Sequence, residues 1–574
     1  MTTSQNRRFV QGGNYLTSVV FLTISVVVAF PAMARTIYIT CDADGTGDGS
    51  SWESPMMLTN YLTVAAKKMA DGDRVLLKSG NYVTQIAQQE IKNLNITFAG
   101  GYAGTDDTTL DAENPVSVIN FGNYPTSRPF TPLKINPGSG DTVSFERIRF
   151  WAARSAAINK QGAGTLILSD CTVVSNGYSQ AGTATYLSST VGGRGIHAEG
   201  GHFYATNCVF AYNGPYYRMF NNNNYYGDSG FGMWLSGIAA ELVDCRFIGN
   251  GARITEANNT DDTISVLRDG NKRGAAIYAT GTTLTAVGCD FIMNKALMGL
   301  YNKAAEQARG GGSGGVVVLE GASGGSSFSN CAWIANMNVR SRNYGRYNID
   351  FGGALNVNLS SLAGAVDVAN CTFAYNATDS DRASPALDVW KGIVNVRNSV
   401  FVGNHKVASG VAGADIMVRT GAVVNVSHSL LPSTDAWNVK TETLGEDAGT
   451  LSLGDGVICG DALLASETLA STNLIVNAKV TIQSQANTPV LYYDVNRLDD
   501  VLAFDVHPRS KTGRWTASGY ARDSEYSPAI DAGDPAASCG EEPKPNGQRL
   551  NLGRYGGTAE ASLSRRCGLQ LMVR

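Results

Sequence analysis

Cys208-Val-Phe-Ala-Tyr-Asn213 is the stretch that decides the fold, because the same six-residue phrase returns through the middle of the chain. A Cys or Ser opens each copy, an apolar or aromatic residue follows two places later, and an Asn stands five places after the start. The other first residues are Cys171, Cys245, Cys289, Cys331, Cys371 and Ser399, and the other Asn residues are Asn176, Asn250, Asn294, Asn336, Asn376 and Asn404. Because the copies start 28 to 44 residues apart, they indicate a repeat protein in which loops of variable length join constant units.

Short alternating segments precede the phrase in each repeat. Gly195-Ile-His-Ala-Glu-Gly200 and Gly232-Met-Trp-Leu-Ser-Gly237 alternate side chains between glycines, which is typical of strands. A further short strand such as Val366-Asp-Val368 leads into the phrase. Two or three short strands per repeat, with no helical periodicity between them, predict an all-β parallel β-helix in which each coil stacks on its neighbours.

The repeated Cys and Asn residues are interpreted as structural ladders, and not as a catalytic or metal-binding set. Cys is small and among the residues most often buried, so a Cys in every coil fits an interior stack of free thiols, roughly 4.8 Å apart. Asn suits a turn, because its side chain hydrogen-bonds backbone groups and tolerates the left-handed conformation. Stacked across coils, the Asn residues predict an Asn ladder.

Gly352-Gly-Ala-Leu355, combined with repeated Phe-x-x-Asn as in Phe373 to Asn376, resembles repeats of the chlamydial polymorphic membrane proteins and of the right-handed, pectate-lyase-like β-helix superfamily. Near the C-terminus, Ser527-Pro-Ala-Ile-Asp-Ala-Gly-Asp534 and Asn551-Leu-Gly-Arg-Tyr-Gly-Gly557 resemble the choice-of-anchor Q domain that closes many secreted bacterial β-helix proteins. The resemblance implies a right-handed parallel β-helix on an exported bacterial protein. It implies no particular activity, since this fold carries many unrelated functions.

The chain divides into a leader and four sections. Residues 1–34 are interpreted as a cleavable secretion signal, with Arg7 and Arg8 ahead of an apolar run and Ala32-Met33-Ala34 as the cleavage pattern. An uncleaved anchor is the alternative, although the run is short for a spanning helix. The predicted sections are an opening of the β-helix with a capping helix from Leu58 to Ala70 (35–135), regular coils (136–435), a less regular β continuation (436–510) and the C-terminal module (511–574).

Composition narrows the range of functions. A net charge of −4, a charged fraction of 16% and the lack of an extended basic block argue against a nucleic-acid partner. No stretch beyond the leader is long and apolar enough to cross a membrane. We expect a monomer that is released from the cytoplasm or held non-covalently at the cell surface, with Cys539 and Cys567 as the candidate disulfide of the terminal module.

Aromatic and polar residues collect on one predicted edge of the solenoid. The longest loops leave the coils just after the Asn, and the outward positions of the preceding strands are His197, Trp234 and Tyr278. The loop residues predicted to join them are Tyr216, Tyr217, Arg218, Tyr344 and Arg346. Exposed rings beside polar groups suit a polysaccharide, since rings pack on sugar faces and polar groups bind hydroxyls. The alternative is that outward aromatics only cover the sheet.

Two enzymatic alternatives remain open. A glycoside hydrolase requires two carboxylates about 5–10 Å apart, but Glu199 and Glu320 would lie roughly 14 Å apart at three coil spacings. A polysaccharide lyase requires a Lys or Arg base, for which Asp388, Lys391 and Arg419 on neighbouring coils are the candidates. No nucleophile-elbow motif accompanies the five His residues, so a Ser-His-Asp triad has no support.

One loop matches a calcium-binding pattern. The candidate metal ligands Asp42, Asp44, Asp48 and Glu53 stand at EF-hand positions, with Gly47 at the sixth place. The loop follows a strand instead of a helix, so a simple turn is the alternative. Calcium is the one cofactor that the sequence suggests.

The combined prediction is an exported or cell-surface β-helix that acts in adhesion or polysaccharide binding along the loop-bearing edge. A lyase or hydrolase acting in the same groove is one alternative. A structural surface component without a small ligand is the other. The sequence does not separate neutral from acidic glycans.

Overall fold

The computed structural model describes residues 35–42, 45–63, 68–83, 89–121, 133–153, 156–177, 195–214, 216–217, 230–251, 253–254, 274–298, 314–340, 352–378, 383–406, 415–419, 421–433, 449–466, 475–482, 485–493 and 503–565. Within these ranges the regular structure is almost all β-strand, and the one helix is Leu58–Leu62. No helix in these ranges is long and apolar enough to cross a membrane. The proposed leader lies outside them.

Three long parallel sheets build the molecule. Sheet 1 has 14 strands, in spatial order Met56–Met57, Thr36–Thr40, Asp73–Lys78, Ile96–Tyr102, Thr142–Glu146, Thr165–Ser169, His202–Thr206, Ala239–Val243, Thr283–Val287, Ser326–Ser329, Ala365–Ala369, Ile393–Arg397, Val423–Ser427 and Thr450–Leu453. Sheet 2 has 12 strands, Gly80–Val83, Ser117–Asn120, Ile148–Trp151, Thr172–Val174, Val209–Ala211, Arg246–Ile248, Asp290–Ile292, Ala332–Ile334, Thr372–Ala374, Val400–Val402, Leu430–Leu431 and Ile458–Cys459. Sheet 3 has 10 strands, Gln89–Lys92, Leu133–Asn136, Ile158–Lys160, Ile196–Glu199, Met233–Ser236, Ile277–Thr280, Val317–Glu320, Leu355–Asn358, Leu387–Lys391 and Ile416–Val418.

Each regular coil passes through sheet 3, then sheet 1, then sheet 2, and the next coil repeats the order. The predicted all-β parallel β-helix is therefore confirmed. Short parallel strands follow the Asn of several coils, at Tyr216–Tyr217, Arg253–Ile254, Lys295–Met298, Met337–Arg340, Ala377–Thr378 and His405–Lys406. Two antiparallel pairs lie beyond the coils, Ile475–Ile482 with Gln485–Tyr493 and Arg514–Thr516 with Gly519–Ala521.

A stack of aromatic rings fills the interior along sheet 2. The ring centroids of Phe247 and Phe291 are 5.1 Å apart, and those of Trp333 and Phe373 are 4.5 Å apart. These rings are fully buried, and burying such a side chain stabilises a fold by about 1.5–3 kcal/mol. The apolar residue at the third place of the repeated phrase is thus the centre of the core.

The six repeated Cys residues stand directly before the sheet 2 strands and line the same interior. All six are free thiols and at most 1% exposed. The Cys289 thiol donates to the carbonyls of Val287 and Leu242 at 3.5 Å. Burial raises the pKa of the Cys171 and Cys371 thiols well above the ordinary value.

The seven repeated Asn residues form a continuous chain of hydrogen bonds. Each side chain donates from Nδ2 to Oδ1 of the Asn in the next coil, at 2.9–3.0 Å, from Asn176 to Asn404. The second Nδ2 hydrogen binds a backbone carbonyl, as from Asn250 to Phe210 at 2.8 Å. All seven are buried, so the ladder satisfies polar groups that the coil would otherwise leave unpaired.

The left-handed residues stand beside the repeated Cys and Asn. The residue before each Asn has a positive φ, as at Tyr212 (φ 54) and Ala335 (φ 51). A second set precedes the Cys, as at Asn207 (φ 51) and Asn330 (φ 50). The sequence predicts that the ladder Asn itself adopts the left-handed conformation. In the structure the residue before it has the positive φ, and the Asn side chain forms the ladder hydrogen bonds.

The helix Leu58–Leu62 covers the N-terminal end of the core. Its Tyr61 packs edge-on against Phe98, with ring centroids 6.2 Å apart, and donates to Asp73 Oδ2 at 2.7 Å. The sequence predicts a helix from Leu58 to Ala70, but the helix ends at Leu62. Thr63 is extended (ψ 111), and its hydroxyl donates to the Thr59 carbonyl at 2.6 Å, a local bond by which β-branched Thr competes with helix continuation.

The C-terminal module lies on the outer face of sheet 2. Ala529 and Leu552 of the module, together with Ala462, Leu464 and Val506 of the section before it, pack with outward residues of the sheet, among them Ile292, Ile334, Ala374 and Leu430. Arg554 donates from Nε to Asp290 Oδ1 at 3.0 Å and from Nη2 to the Gly288 carbonyl at 2.9 Å. The side chains of Asn330 and Asn370 donate to the Gly556 carbonyl. The motif Asn551–Gly557 therefore serves as a clamp onto the solenoid.

Candidate functional site on the outer face of sheet 3

Strand register in sheet 3 places three predicted ligand-binding residues side by side. His197 stands opposite Trp234, and Trp234 stands opposite Tyr278 in the next strand. The flanking Ile196 and Ala198 point into the core, as the two-residue period of a strand requires. We call His197, Trp234 and Tyr278 the aromatic column.

The rings of the aromatic column are held by stacking and by carboxylates. The His197 and Trp234 rings stack at 4.2 Å with 16° between their planes. His197 Nε2 lies 2.9 Å from Glu199 Oε1, and the Tyr278 hydroxyl donates to Glu320 Oε2. His197 is 3% exposed, while Trp234 and Tyr278 are half-buried. The column thus presents two accessible rings backed by a buried imidazole.

A row of polar side chains follows the aromatic column one outward position further along each strand. We call this row the polar stripe; its members in register are Glu199, Ser236, Thr280, Glu320, Asn358 and Lys391. All six are half-buried. Five coil spacings of about 4.8 Å make the stripe roughly 24 Å long, the dimension of an extended oligosaccharide and not of a single sugar.

The two stripe carboxylates do not form a hydrolytic pair. Three strand steps separate Glu199 from Glu320, which corresponds to roughly 14 Å. Paired carboxylates of a glycoside hydrolase lie about 5–10 Å apart. Each of these carboxylates instead binds a ring of the aromatic column.

The lyase candidates occupy the far end of sheet 3. Asp388 is fully buried and accepts from Arg419 Nε at 3.3 Å and Nη2 at 3.2 Å. Burial raises the pKa of Asp388, and the adjacent Arg419 opposes that rise. The Nζ of Lys391 instead donates to the Ser360 carbonyl at 2.6 Å. The structure therefore brings Asp388 and Arg419 together and directs Lys391 elsewhere.

Sequence reasoning missed Trp390, which a bulge inserts into this end of the sheet. Val357 pairs with Val389 and Asn358 pairs with Lys391, so Trp390 is the extra residue. The Arg419 guanidinium lies over its ring, 4.6 Å from the centroid. Bulges commonly redirect side chains next to sites. The sequence signal was the length of the strand segment before the glycine. Five residues, Leu387-Asp-Val-Trp-Lys391, precede Gly392, whereas four residues, Met233-Trp-Leu-Ser236, precede Gly237.

Lys160 was also missed, although it sits under the site. It occupies an interior position of sheet 3, in register with Ala198, and is fully buried. Its ammonium donates to the carbonyls of Gly162 at 2.8 Å and Glu199 at 3.3 Å. Burial lowers the pKa of Lys160 to about 8. A Lys at an inward place of the alternating pattern was the available signal.

The described strands that follow the ladder Asn residues stack in parallel from coil to coil. Lys295–Met298, for example, pairs with Met337–Arg340. Tyr216–Tyr217 belongs to one such strand, in register with Arg253 and Ile254. Arg218, Tyr344 and Arg346 lie outside the described residues, and their part in binding stays a prediction.

The calcium-like loop is closed by its own hydrogen bonds where it is described. Asp48 Oδ1 accepts from the Ser50 backbone and hydroxyl and from the Ser54 hydroxyl, at 3.0, 2.6 and 3.2 Å. These bonds, the Ser50 hydroxyl foremost, lower the pKa of Asp48. Asp42 pairs with Lys78 at 3.2 Å. Among the described residues, no group of three side chains could hold a metal ion. Asp44 lies outside the described residues.

Trp52, near the end of this loop, packs between two tyrosines. Its ring lies 5.0 Å from the Tyr38 ring and 6.2 Å from the Tyr102 ring. Glu53 stays exposed, and its backbone N–H binds the Ser51 hydroxyl at 3.2 Å. The geometry of Asp48 and Trp52 is that of a turn fixed on the outside of sheet 1.

Comparison with known proteins yields only a likeness of fold. No protein-family model and no curated protein matches the chain. The pectate lyase Pel9A is similar, with 13% identity over 91% of this chain and 96% of that chain and a TM-score of 0.33. A rhamnogalacturonan lyase is similar with 10% identity over 75% of this chain and 91% of that chain and a TM-score of 0.35. The GH136 lacto-N-biosidase from Eubacterium ramulus shares 10% identity over 74% of this chain and 68% of that chain, with a TM-score of 0.27. At these values the likeness carries no argument about activity or substrate.

Proposed function

We propose that this chain is an exported β-helix protein that binds polysaccharide along the aromatic column and the polar stripe of sheet 3. The observation that supports this most is the stack of His197 on Trp234, beside a row of half-buried polar side chains at coil spacing. Ring faces bind the apolar faces of sugars, and fixed polar groups bind hydroxyls. A solenoid repeats such positions along its axis, as a polymeric ligand requires.

The proposal places the protein outside the cytoplasm, as a secreted or surface-held monomer. It rests on the leader pattern of residues 1–34 and on the low charged fraction without a basic block. A surface-held copy that binds the glycan of another cell would act as an adhesin. The aromatic column and the polar stripe would bind the glycan in a secreted protein and in a surface-held one.

Lyase activity is a second candidate, supported by one specific observation. Arg419 is fixed by the buried Asp388 and by the Trp390 ring, and a fixed guanidinium beside a sugar can stabilise the negative charge that develops in a β-elimination. Asp388 is fully buried, so its part would be to position Arg419. Calcium, as in the sequence prediction, would be an added requirement of that reaction.

A glycan array tests the binding proposal with three variants. Trp234→Ala and Tyr278→Ala should each weaken binding by about tenfold or more, since a lost sugar-stacking ring costs at least about 1.4 kcal/mol. Tyr204→Ala is the matched control, because Tyr204 is a half-buried outward aromatic on sheet 1, and it should bind as wild type does. Binding that survives the Trp234→Ala/Tyr278→Ala double substitution would remove the proposal.

Product analysis on any bound polysaccharide separates binding from catalysis. Release of unsaturated sugar ends that is lost in Arg419→Lys or Lys391→Met would establish the lyase. Binding without release of unsaturated or reducing ends would establish a binding protein. No binding to any glycan by wild type would favour the structural surface component.

A further inference from the structure

The asparagine ladder runs in one direction and ends on an acid. Every Nδ2 donates toward the C-terminal coils, and the last one, on Asn404, donates to Asp415 Oδ1 at 2.8 Å. Asp415 accepts the hydrogen bond that the side-chain oxygen of the next Asn accepts elsewhere in the ladder. It is 3% exposed, and among the described residues it forms no ion pair. The chain of amides therefore terminates on a buried carboxyl group with a single side-chain hydrogen bond.

Asp415 also directly precedes Ile416–Val418, the last described strand of sheet 3. Its carbonyl accepts from the Ser384 hydroxyl at 2.7 Å and from the Leu387 backbone at 2.9 Å. Among the described residues, which leave out 434–448, Ile416–Val418 pairs on one side only, with Leu387–Val389. A strand paired on one side has fewer hydrogen bonds than a central one, so a change at the residue that precedes it affects how firmly it is held.

We propose that Asp415 is a proton-sensitive latch: the neutral acid holds Ile416–Val418 on the solenoid, and ionisation of the acid releases that strand. The latch is independent of the proposed function, because it concerns the end of the ladder and not a ligand. It would move Arg419, which follows the strand and pairs with Asp388. The C-terminal end of sheet 3 would thereby respond to the pH outside the cell.

Among the described residues, the charged groups near Asp415 do not compensate its ionised form. Asp388, on the neighbouring strand, is paired with Arg419. Lys391, on the same strand, donates to the Ser360 carbonyl. His405 follows Asn404, and its Nδ1 lies 3.1 Å from the Gly403 carbonyl. In the described segment that begins at Ala383, the Ser384 hydroxyl binds the Asp415 carbonyl.

The expected direction follows from linkage between protonation and opening. Burial raises the pKa of Asp415 from 3.8 to about 7, and the Asn404 hydrogen bond opposes this rise. A group with a raised pKa in the closed state contributes stability below its ordinary pKa, and that stability is lost as the pH rises through the raised value. The opening constant of the strand should therefore increase by roughly thirtyfold between pH 5.5 and pH 8.

Hydrogen–deuterium exchange of the full-length protein tests the latch. In wild type, protection of residues 416–419, corrected for intrinsic exchange, should fall by roughly thirtyfold from pH 5.5 to pH 8. Asp415→Asn adds a neutral rung and should keep full protection at both pH values. Glu542→Gln is the matched control, because Glu542 is another buried carboxyl whose pKa burial raises to about 7; it should behave as wild type at 416–419.

Two outcomes would overturn the latch. One is unchanged wild-type protection at 416–419 across this pH range. The other is an Asp415→Asn protein that keeps the full pH dependence. If Asp415→Asn fails to fold, Asn404→Ala is the deciding variant, because it removes the side-chain donor to the Asp415 carboxylate. The midpoint of the protection loss should then shift to higher pH. An unshifted midpoint contradicts the proposal.

Discussion

At the residue scale, the six interior thiols should not react with alkylating reagents in the folded protein. The repeated Cys residues are at most 1% exposed, and a buried thiol is out of reach of a reagent in water. Iodoacetamide on the native protein should therefore leave Cys171, Cys208, Cys245, Cys289, Cys331 and Cys371 unmodified, and modify them after denaturation. Cys459 is exposed and serves as the internal control. Peptide mass mapping in which several ladder thiols react as fast as Cys459 would show a wrong register.

Lys160 should give the stability a distinct alkaline dependence. Its pKa is lowered from 10.5 to about 8 by burial, so the unfolded chain binds more protons between these values. The stability contribution is complete above pH 10.5 and is lost as the pH falls to 8, by about 3 kcal/mol. Urea unfolding at pH 8 and pH 10.5 should show wild type gaining relative to Lys160→Met. Parallel changes in both proteins would contradict the assignment.

At the element scale, the aromatic stack should dominate the stability of the coils. Phe291→Ala opens a cavity between the Phe247 and Trp333 rings, which lie 5.1 Å from Phe291 on each side, and should cost about 3–5 kcal/mol. Trp333→Phe is the matched control. It keeps a ring in the stack and removes an indole Nε1 without a hydrogen-bond partner, so its cost should stay below about 1.5 kcal/mol. Equal unfolding free energies for the two variants would contradict the stack.

The elements that the sequence predicted are those with a strict period. The repeated phrase marks seven successive coils, and the alternation predicts which side chains face inward, because register is set by a two-residue period. The end of the helix at Leu62 and the bulge at Trp390 escaped prediction. Both depend on local hydrogen bonds, such as that of Thr63 to Thr59, and on pairing with a neighbouring strand, as between Asn358 and Lys391, which no single segment encodes.

At the scale of the whole molecule, the C-terminal module should behave as part of the solenoid. The Arg554–Asp290 pair joins residues 264 apart in sequence. No local sequence pattern predicts this contact. Arg554→Ala leaves Asp290 without this partner and should destabilise the protein by about 1.5–3 kcal/mol, the range for a hydrogen bond to a charged group. Limited proteolysis should then cut within 503–565 faster than in Arg522→Ala, an exposed control in the same module. Equal cutting rates would mean that Arg554 does not hold the module.

The candidate site was only partly predictable for the same reason. The column of His197, Trp234 and Tyr278 follows from the repeat, since residues at one place of successive coils become neighbours. The hydrogen bond from Tyr278 to Glu320 crosses to the next coil and fixes a side-chain orientation that the alternation alone does not give. The clamp of Asn330 and Asn370 on Gly556 likewise required the path of the terminal module.

The measurement that tests the central claim most directly is a hydrogen-exchange footprint of the full-length protein, saturated with the polysaccharide that binds best on the array. If sheet 3 is the binding surface, protection should rise in Ile196–Glu199, Met233–Ser236 and Ile277–Thr280, and the sheet 1 strands of the same coils, beginning at His202, Ala239 and Thr283, should stay unchanged. Protection centred on sheet 1 or on the terminal module, with sheet 3 unaltered, would contradict the account.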